Sequence, residues 1–215
     1  MKKTQTDREL SKTANEFVWD ISTNTEVHQL VRPVLQKWLG GNKGMKLLDL
    51  GCGNGSLSAE IQEWGFDVTG TDFSKSGIEI AKKTFPNVIF FQSLMETPLT
   101  KENEKQYDVV LAVEVVEHLL LPRQLFERAK EALKLNGKLI VTTPYHGYFK
   151  NLALALVNKY DYHWHPLRDY GHIKFFSIET LTQLFIEQGF EVTRVKRVGR
   201  IPIFAKSMMI EARLK

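Results

Sequence analysis

Two groups of residues in this sequence have types and spacings that could support chemistry. The first is Asp49-Leu50-Gly51-Cys52-Gly53-Asn54-Gly55, where three glycines stand at every second position after an acidic residue. The second is Glu114-Val115-Val116-Glu117-His118, with two carboxylates and an imidazole at positions i, i+3 and i+4. Because residues with that spacing share one face of a helix, the sequence predicts that Glu114, Glu117 and His118 lie together.

The glycine segment has the composition of a ligand-binding turn between a strand and a helix. Apolar Leu47, Leu48 and Leu50 predict a short buried strand, and Ser56 is a candidate N-cap for a helix that follows. Glycines allow backbone N–H groups to approach a ligand closely and permit positive φ angles. The start of a helix adds partial positive charge. Asp49 places a negative charge beside the turn, which favours a cationic ligand over a phosphate.

The spacing of the glycines separates this turn from other nucleotide-binding motifs. Dinucleotide sites use G-x-G-x-x-G and phosphate-binding P-loops need G-K-[ST], and the sequence contains neither. Asp72 follows the predicted strand Phe66–Thr71, about 20 residues beyond the turn, where an acidic side chain can accept hydrogen bonds from ribose hydroxyls. We therefore predict a nucleoside site, the alternative being a glycine-rich turn without a ligand. Cys52 is interpreted as a small filler of the turn.

Three chemistries fit the carboxylate and histidine group. Glu114, Glu117 and His118 could bind a divalent cation. His118 could instead be a general base that removes a proton from an acceptor. In the third interpretation, Glu114 contacts the amine of a cofactor and His118 is a hydrogen-bonded wall residue. His172 precedes the predicted helix Ile178–Gln188, and we expect it above the same pocket.

The composition indicates one soluble α/β domain. The chain has 215 residues, 43% of them hydrophobic and 25% charged, which suits a single domain with a sizeable core. No apolar run reaches the roughly 18 residues of a membrane-spanning helix, and the first residues lack the apolar region of a secretory signal. A single cysteine excludes an intrachain disulfide, so we expect a cytoplasmic protein. The net charge of +4 permits an anionic partner without requiring one.

Predicted strands and helices alternate along most of the chain, which favours a doubly wound α/β fold. Beyond the glycine turn the predicted strands are Phe66–Thr71, Val88–Phe91, Tyr107–Val113, Lys138–Thr143, Phe190–Val198 and Ile203–Leu214, and the predicted helices are Glu26–Leu39, Ser74–Phe85, Arg123–Leu135 and Ile178–Gln188. The last two strands are close in sequence and should form an antiparallel hairpin. We therefore predict a seven-stranded, mostly parallel, Rossmann-like sheet in residues 45–215 and an N-terminal helical cap in residues 1–44.

An insertion interrupts this alternation at about residues 145–175. Its first part, Tyr148–Tyr160, reads as a short apolar helix, and its second part, Asp161–Tyr170, is dense in aromatic residues and histidine. The helix has two interpretations, a lid packed on the domain or a lipid-facing surface. We predict that the insertion forms the acceptor side of the site.

The sequence Asp49-x-Gly51-x-Gly53-x-Gly55 resembles motif I of the class I methyltransferases that use S-adenosylmethionine (SAM). The resemblance implies that Asp49, Gly51, Cys52, Gly53 and Gly55 hold the methionine end of SAM and that Asp72 holds the ribose. The other implied cofactor-binding residues are Phe73, Leu94, Val113 and Glu114. Where the family often has an Asp beside the adenine, this sequence has Gln92 and Ser93.

The second group, together with His172, is similar to two methyltransferase groups. One is the ubiquinone-biosynthesis O-methyltransferases, in which a similar apolar insertion faces the membrane or a prenyl tail. The other is the small-RNA terminal-ribose methyltransferases, in which two Glu and two His hold a catalytic divalent ion. The resemblance implies catalytic roles for Glu117, His118 and His172, and a Mg, Mn or Zn site formed by Glu114, Glu117, His118 and His172.

We therefore expect O-methylation of a small or lipid-linked acceptor, with peripheral membrane contact through residues 148–160. The alternatives are methylation of an RNA ribose and a catalytically silent module that only binds the cofactor. The sequence has no strong basic stripe, since the cluster Lys196, Arg197 and Arg200 is explained by a solvated strand end. Trp19-Asp20 followed by His28 resembles the ubiquinone group loosely, and the Arg expected near that His does not align.

Overall fold

A seven-stranded sheet organises the described part of the chain. The computed structural model describes residue 19 and residues 26–41, 43–164, 167, 170–199 and 201–215. The strands are β1 (Lys46–Leu50), β2 (Asp67–Asp72), β3 (Ile89–Gln92), β4 (Tyr107–Val113), β5 (Leu133–Pro144), β6 (Phe190–Val198) and β7 (Ser207–Leu214). Their order across the sheet is β3-β2-β1-β4-β5-β7-β6.

The strand directions confirm the predicted fold class. The pairs β1–β2, β1–β4, β2–β3 and β4–β5 are parallel, whereas β7 pairs antiparallel with both β5 and β6. The chain order reverses between β1 and β4. In open α/β sheets such a reversal opens a crevice at the carboxyl ends of the strands, where ligands bind.

Helices cover both faces of the sheet. They are α1 (Glu26–Leu39), α2 (Ser56–Glu63), α3 (Lys75–Thr84), α4 (Arg123–Ala132), α5 (Tyr148–Leu156), α6 (Tyr160–Trp164) and α7 (Ile178–Glu187). Buried side chains of α1, α2 and α3 form the core on one face, and those of α4 and α7 form the core on the other. The parallel strands are apolar on both faces because both are covered.

Several predicted strands and helices begin or end one residue away from the structure, and three predictions differ by more. The helix predicted to reach Leu135 ends at Ala132, and β5 already begins at Leu133, with Asn136 inside it at a φ of 62°. Strand β7 begins at Ser207, because a 3-10 turn at Pro202–Phe204 precedes it. The predicted helix over residues 148–160 is instead the two helices α5 and α6. Asn158 lies between them at a φ of 50°.

The N-terminal part is described from α1 onward, apart from residue 19. Helix α1 buries Val31, Leu35 and Leu39 in the core on the sheet. The proposed division into a cap at 1–44 and a catalytic domain at 45–215 stays a prediction, since most residues before Glu26 lie outside the described ones. Among the helices of the described residues, none has the length and apolarity needed to cross a bilayer.

Candidate active site

The glycine turn has the strained geometry that only glycine adopts readily. The φ angles of Gly51, Gly53 and Gly55 are 83°, 55° and 76°. Ser56 is the first residue of α2 and not its N-cap. Gly55 holds the cap position without a side-chain bond, and the Ser56 amide donates to Asn54 Oδ1 at 3.2 Å. The start of α2 is therefore held by the Asn54 side chain within the turn.

Asp49 lies beneath this turn as a buried carboxyl group. Only 2% of its surface is exposed, and its Oδ2 accepts a hydrogen bond from Ser58 Oγ at 2.6 Å. Burial raises the pKa of Asp49 from 3.8 to about 7, the Ser58 bond opposes this rise, and the charge of Asp72 adds to it. A nearby cation would offset the cost of burying this charge.

Asp72 links the ends of β1 and β2. Its Oδ2 accepts from the Gly53 amide and its Oδ1 from the Ser74 amide, both at 2.8 Å. The side chain is 8% exposed. Each carboxylate oxygen can accept more than one hydrogen bond, so Asp72 can hold the turn and still accept from a ligand hydroxyl.

The remaining predicted cofactor residues lie along the same edge of the sheet. Phe73 and Leu94 follow β2 and β3 and are 38% and 53% exposed, whereas Val113 at the end of β4 is buried. The side-chain Nε2 of Gln92 donates to the Phe73 carbonyl at 2.9 Å. The centroids of the Phe73 and Tyr170 rings are 6.4 Å apart. Exposed apolar side chains at strand ends suit the faces of a planar base.

Cys52 behaves as the filler that its position indicated. It is 5% exposed, and burial together with the charges of Asp49 and Asp72 raises the pKa of its thiol. Because the thiolate is the reactive form, this environment disfavours nucleophilic chemistry at Cys52.

The helix predicted for the second group is absent, although the Glu114 carboxyl still lies beside that of Glu117. Glu114 has a φ of 55°, and a 3-10 turn at Val116–His118 replaces the expected helix. The carboxylate of Glu114 turns toward β5 and β7, where it accepts from Thr142 Oγ1 at 3.0 Å and Ser207 Oγ at 2.7 Å.

Glu117 is fully buried, and neither of its carboxylate oxygens makes a hydrogen bond of ordinary geometry within the described residues, although the Glu114 carboxyl and the Thr143 hydroxyl lie beside it. Its pKa is raised well above the ordinary value, first by burial and then by the charge of Glu114. The pKa of Glu114 is itself raised to about 7, mainly by burial, with opposing hydrogen bonds from Ser207 and Thr142. The buried Glu117 carboxyl and the adjacent, partly buried Glu114 favour holding one proton between them, which brings the two side chains into contact.

The structure brings Glu117, His118 and His172 together. One ligand atom from each lies within 4.8 Å of the others, the two imidazole rings are 4.7 Å apart, and His172 Nε2 is 4.0 Å from Glu117 Oε1. The Glu117 carbonyl accepts from the amides of Ile173 and Lys174 at 2.9 and 3.0 Å, which fixes the His172 segment over the turn. Glu114 lies outside this group.

The tautomer of His118 follows from its backbone contacts. Its Nδ1 lies 2.9 Å from the Tyr170 carbonyl and 3.2 Å from the Gly171 carbonyl. Since a carbonyl only accepts, Nδ1 carries the proton and the lone pair of the neutral ring lies on Nε2. That arrangement suits both a base and a metal ligand.

Several contacts at the site had no signal in the sequence. Ser207, Tyr170 and Gly171 hold Glu114 and His118 from distant parts of the chain. Lys150 of α5 donates to the Tyr145 carbonyl at 2.8 Å, and its charge acts on Glu114. Within the histidine-rich part of the insertion, His165 and the side chain of His163 lie outside the described residues.

An apolar surface adjoins the site. Its exposed members on and after α5 are Tyr148, Phe149, Leu156 and Val157, with exposed fractions of 73%, 57%, 79% and 57%. Helix α5 contacts the 3-10 turn at Pro202–Phe204, where Ile203 is also exposed. We call these residues of α5, Val157 and the turn the α5 surface.

A SAM-dependent methyltransferase is the class of protein that this sheet and glycine turn define. The sequence profile of the methyltransferase domain family matches residues 24–195, and the chain belongs to this family. The structure of magnesium protoporphyrin IX methyltransferase from Synechocystis with bound S-adenosylhomocysteine (SAH) superposes with a TM-score of 0.66 at 18% identity, covering 98% of this chain and 94% of that one. A SAM-dependent methyltransferase from Mesorhizobium loti gives a TM-score of 0.68 at 18% identity, covering 85% and 97%.

Two relatives with assigned activities carry the name ubiquinone biosynthesis O-methyltransferase. The ubiquinone biosynthesis O-methyltransferase of Rickettsia typhi is 30% identical over 156 residues, which are 71% of this chain and 62% of that protein. Its namesake in Azorhizobium caulinodans is 33% identical over 177 residues, 77% of this chain and 69% of that one. The chain thus spans about 62% of the Rickettsia relative. The predicted membership in the methyltransferase family is confirmed.

Proposed function

We propose that the chain transfers the methyl group of SAM to a hydroxyl oxygen of a small or lipid-linked acceptor. The observation that carries the proposal is the convergence of Glu117, His118 and His172 beside the crevice. Methyl transfer to oxygen requires an in-line approach and removal of one proton, and these side chains supply a place for both.

In this proposal the carboxyl ends of β1 and β2 bind SAM. The backbone of Gly51, Gly53 and Gly55 faces the methionine end, with the Asp49 carboxylate beneath it and Cys52 as filler. Asp72 accepts from the ribose hydroxyls. Phe73, Leu94 and Val113 flank the base and the ribose. Glu114, bonded to Thr142 and Ser207, supports the floor of the site and contributes negative charge near the cofactor amine.

His118 is the proposed base for the acceptor hydroxyl. Its Nδ1 proton is held by backbone carbonyls, so the neutral ring carries its lone pair on Nε2, the atom that would accept the proton. His172, edge-on to it at 4.7 Å, limits the directions from which an acceptor can approach. The buried Glu117 carboxyl stabilises positive charge on either ring once it is ionised.

The same side chains also fit a divalent cation. Glu117 offers two buried oxygens that make no hydrogen bond of ordinary geometry among the described residues, and imidazole nitrogens with a carboxylate form a donor set suited to Zn, Mn or Mg. Glu117, His118 and His172 would hold the ion, and Glu114 would lie behind them. A bound cation would lower the pKa of a ligated acceptor hydroxyl.

The lipid-linked acceptor is supported by the relatives' name and by the α5 surface. Exposed apolar side chains from α5 lie near the exposed Lys159, a combination typical of contact with a membrane surface. We propose that residues 148–160 make this peripheral contact and that the apolar tail of the acceptor lies along it. We place the enzyme in the cytoplasm.

The test measures methyl transfer from SAM to a catechol carrying a short prenyl tail, with and without chelator. We expect turnover that falls about 100-fold or more in His118→Ala, while the affinity for SAH stays within a few fold. Turnover abolished by chelation and restored by Mg²⁺, Mn²⁺ or Zn²⁺ selects the metal form of the proposal. Turnover that is unchanged by the chelator supports the form of the proposal in which His118 is the general base.

Two results would contradict the proposal. Methylation of an RNA 3′-terminal ribose in place of the catechol would identify the first alternative. SAH binding without turnover on either acceptor would identify the silent module.

A further inference from the structure

Trp19 lies beside the glycine turn, outside the residues 24–195 that match the family profile. Its backbone amide donates to Ser76 Oγ at 3.1 Å, and Ser76 Oγ is 3.0 Å from Ser74 Oγ. The Ser74 amide in turn donates to Asp72. Trp19 is therefore hydrogen-bonded to the first turn of α3. Ser76 and Ser74 connect it to Asp72, the proposed ribose-binding residue.

Two glycines make room for the Trp19 indole. A Cβ on Gly53 would overlap the ring, with Cε2 only 3.0 Å away, and a Cβ on Gly77 would lie 2.9 Å from Cδ1. These distances are too short for real Cβ contacts, so the ring lies directly on the backbone at both positions. Gly53 belongs to the proposed cofactor turn, and its amide donates to Asp72.

The packing of Trp19 differs from that of an ordinary core tryptophan. Trp38 is buried in the core formed by α1, α2 and α3, and Trp64 packs against it. Among the described residues, neither core includes Trp19, which is half-buried. A large indole that rests on polar backbone and keeps part of its surface exposed can contact a ligand bound beside it.

We propose that Trp19 forms a wall of the SAM site, where its indole packs against the bound cofactor beside Gly53 and Asp72. This rests on the cofactor site assigned under the proposed function. Trp19 is a binding residue in this proposal: it adds apolar contact area to a site whose other groups are backbone amides and carboxylates, and it holds Gly53 in place for the cofactor.

The experiment is calorimetric titration of SAH into the full chain and three variants. We expect Trp19→Ala to bind roughly tenfold more weakly, equivalent to about 1.4 kcal/mol, and Trp19→Phe to stay within about threefold because it keeps an aromatic face. Trp64→Phe is the matched control, since Trp64 packs at the far end of α2 and should bind SAH like the wild type.

Tryptophan emission supplies a second measurement that does not depend on the alanine variant folding. The chain has four tryptophans, and we expect SAH to change the emission of the wild type and of Trp64→Phe but not of Trp19→Phe. Melting curves identify a variant that is unfolded. If Trp19→Ala is unfolded, the emission of Trp19→Phe decides the question.

The outcomes separate this inference from the proposed function. Wild-type binding of SAH together with equal or tighter binding by folded Trp19→Ala overturns the role of Trp19 alone, as does an emission change that persists in Trp19→Phe. A wild-type titration without any heat or emission change overturns the cofactor site itself, and the wall with it.

Discussion

The two halves of the site satisfy their polar groups differently. At the ends of β1 and β2, Asp49 and Asp72 are buried and hydrogen-bonded to a nearby hydroxyl or to backbone amides. At the ends of β4 and β5, Glu117 is buried beside Glu114 and Thr143 without a hydrogen bond of ordinary geometry among the described residues, and His118 and His172 are exposed. In the first half the carboxylates are hydrogen-bonded before a ligand binds. In the second half the Glu117 carboxyl group lacks a well-formed hydrogen bond.

This difference indicates which half of the site contributes to the free energy of unfolding and which half reduces it. Hydrogen-bonded carboxylates fix the turn and preorganise the cofactor site. A buried carboxyl without a partner costs free energy, which a fold retains where a ligand or a proton later supplies the missing interaction. Glu117 in the acceptor half should therefore destabilise the fold, whereas the hydrogen bonds of Asp72 in the cofactor half should stabilise it.

The largest effect is expected from Glu117→Gln. This change keeps the shape of the side chain but removes its ability to ionise, so turnover should fall about 100-fold or more, while the free energy of unfolding stays the same or rises. Turnover, SAH affinity and melting temperature should be measured together. Glu102→Gln, at an exposed position, is the control. Normal turnover in Glu117→Gln would show that the acceptor half does not need an ionisable carboxyl group at this position.

The cofactor half should respond in the opposite way to Asp72→Ala. Loss of a carboxylate that accepts from two backbone amides should lower the melting temperature and weaken SAH binding about 10- to 100-fold, since hydrogen bonds to a charged group contribute roughly 1.5–3 kcal/mol. Calorimetry and thermal unfolding measure both. If SAH affinity is unchanged, Asp72 has only a structural role.

The same contrast explains which parts of the site could be predicted from the sequence. The glycine turn and Asp72 follow consecutive strands, so their meeting follows from parallel strand order alone. The direction of Glu114 could not be predicted, because a left-handed φ at that residue breaks the helical spacing. Its partner Ser207 reaches it only through the register that pairs Pro144 with Ser207.

The overall sheet was predictable because apolar strands and turn residues alternate locally. The ends of elements were less so, as at Leu133 and Ser207, where a bulged strand and a 3-10 turn replaced the expected boundaries. The tautomer of His118 depends on carbonyls from the insertion. No local pattern identifies a backbone carbonyl as a partner, so this contact required the three-dimensional structure.

The raised pKa of Asp49 can be tested through the pH dependence of the melting temperature. Its pKa is 3.8 in the unfolded chain and about 7 in the folded one, so the folded state binds the proton more tightly. The cost of burying its charge is absent below pH 4 and complete above about pH 7. We expect the melting temperature of Asp49→Asn to exceed that of the wild type by a few degrees at pH 8, and by less at pH 5. A difference independent of pH would contradict the raised pKa.

The smallest effect is expected at the α5 surface, where Leu156 is 79% exposed. Leu156→Ser should weaken sedimentation with phosphatidylcholine vesicles about three- to tenfold, because a partly buried leucine contributes on the order of 1 kcal/mol to membrane contact. It should leave SAH affinity and turnover on a soluble catechol unchanged. Serine carries no charge, so the change reports apolar contact alone.

Leu135 provides the matched control for that experiment. It is 82% exposed and lies in β5 near its first residue, away from the carboxyl ends of the strands. Leu135→Ser should sediment like the wild type, because an equally exposed leucine outside the α5 surface adds nothing if the membrane meets only that surface. Equal losses in both variants would indicate nonspecific adsorption. No loss in Leu156→Ser would leave α5 as a lid packed on the acceptor and would confine the acceptor half to soluble substrates.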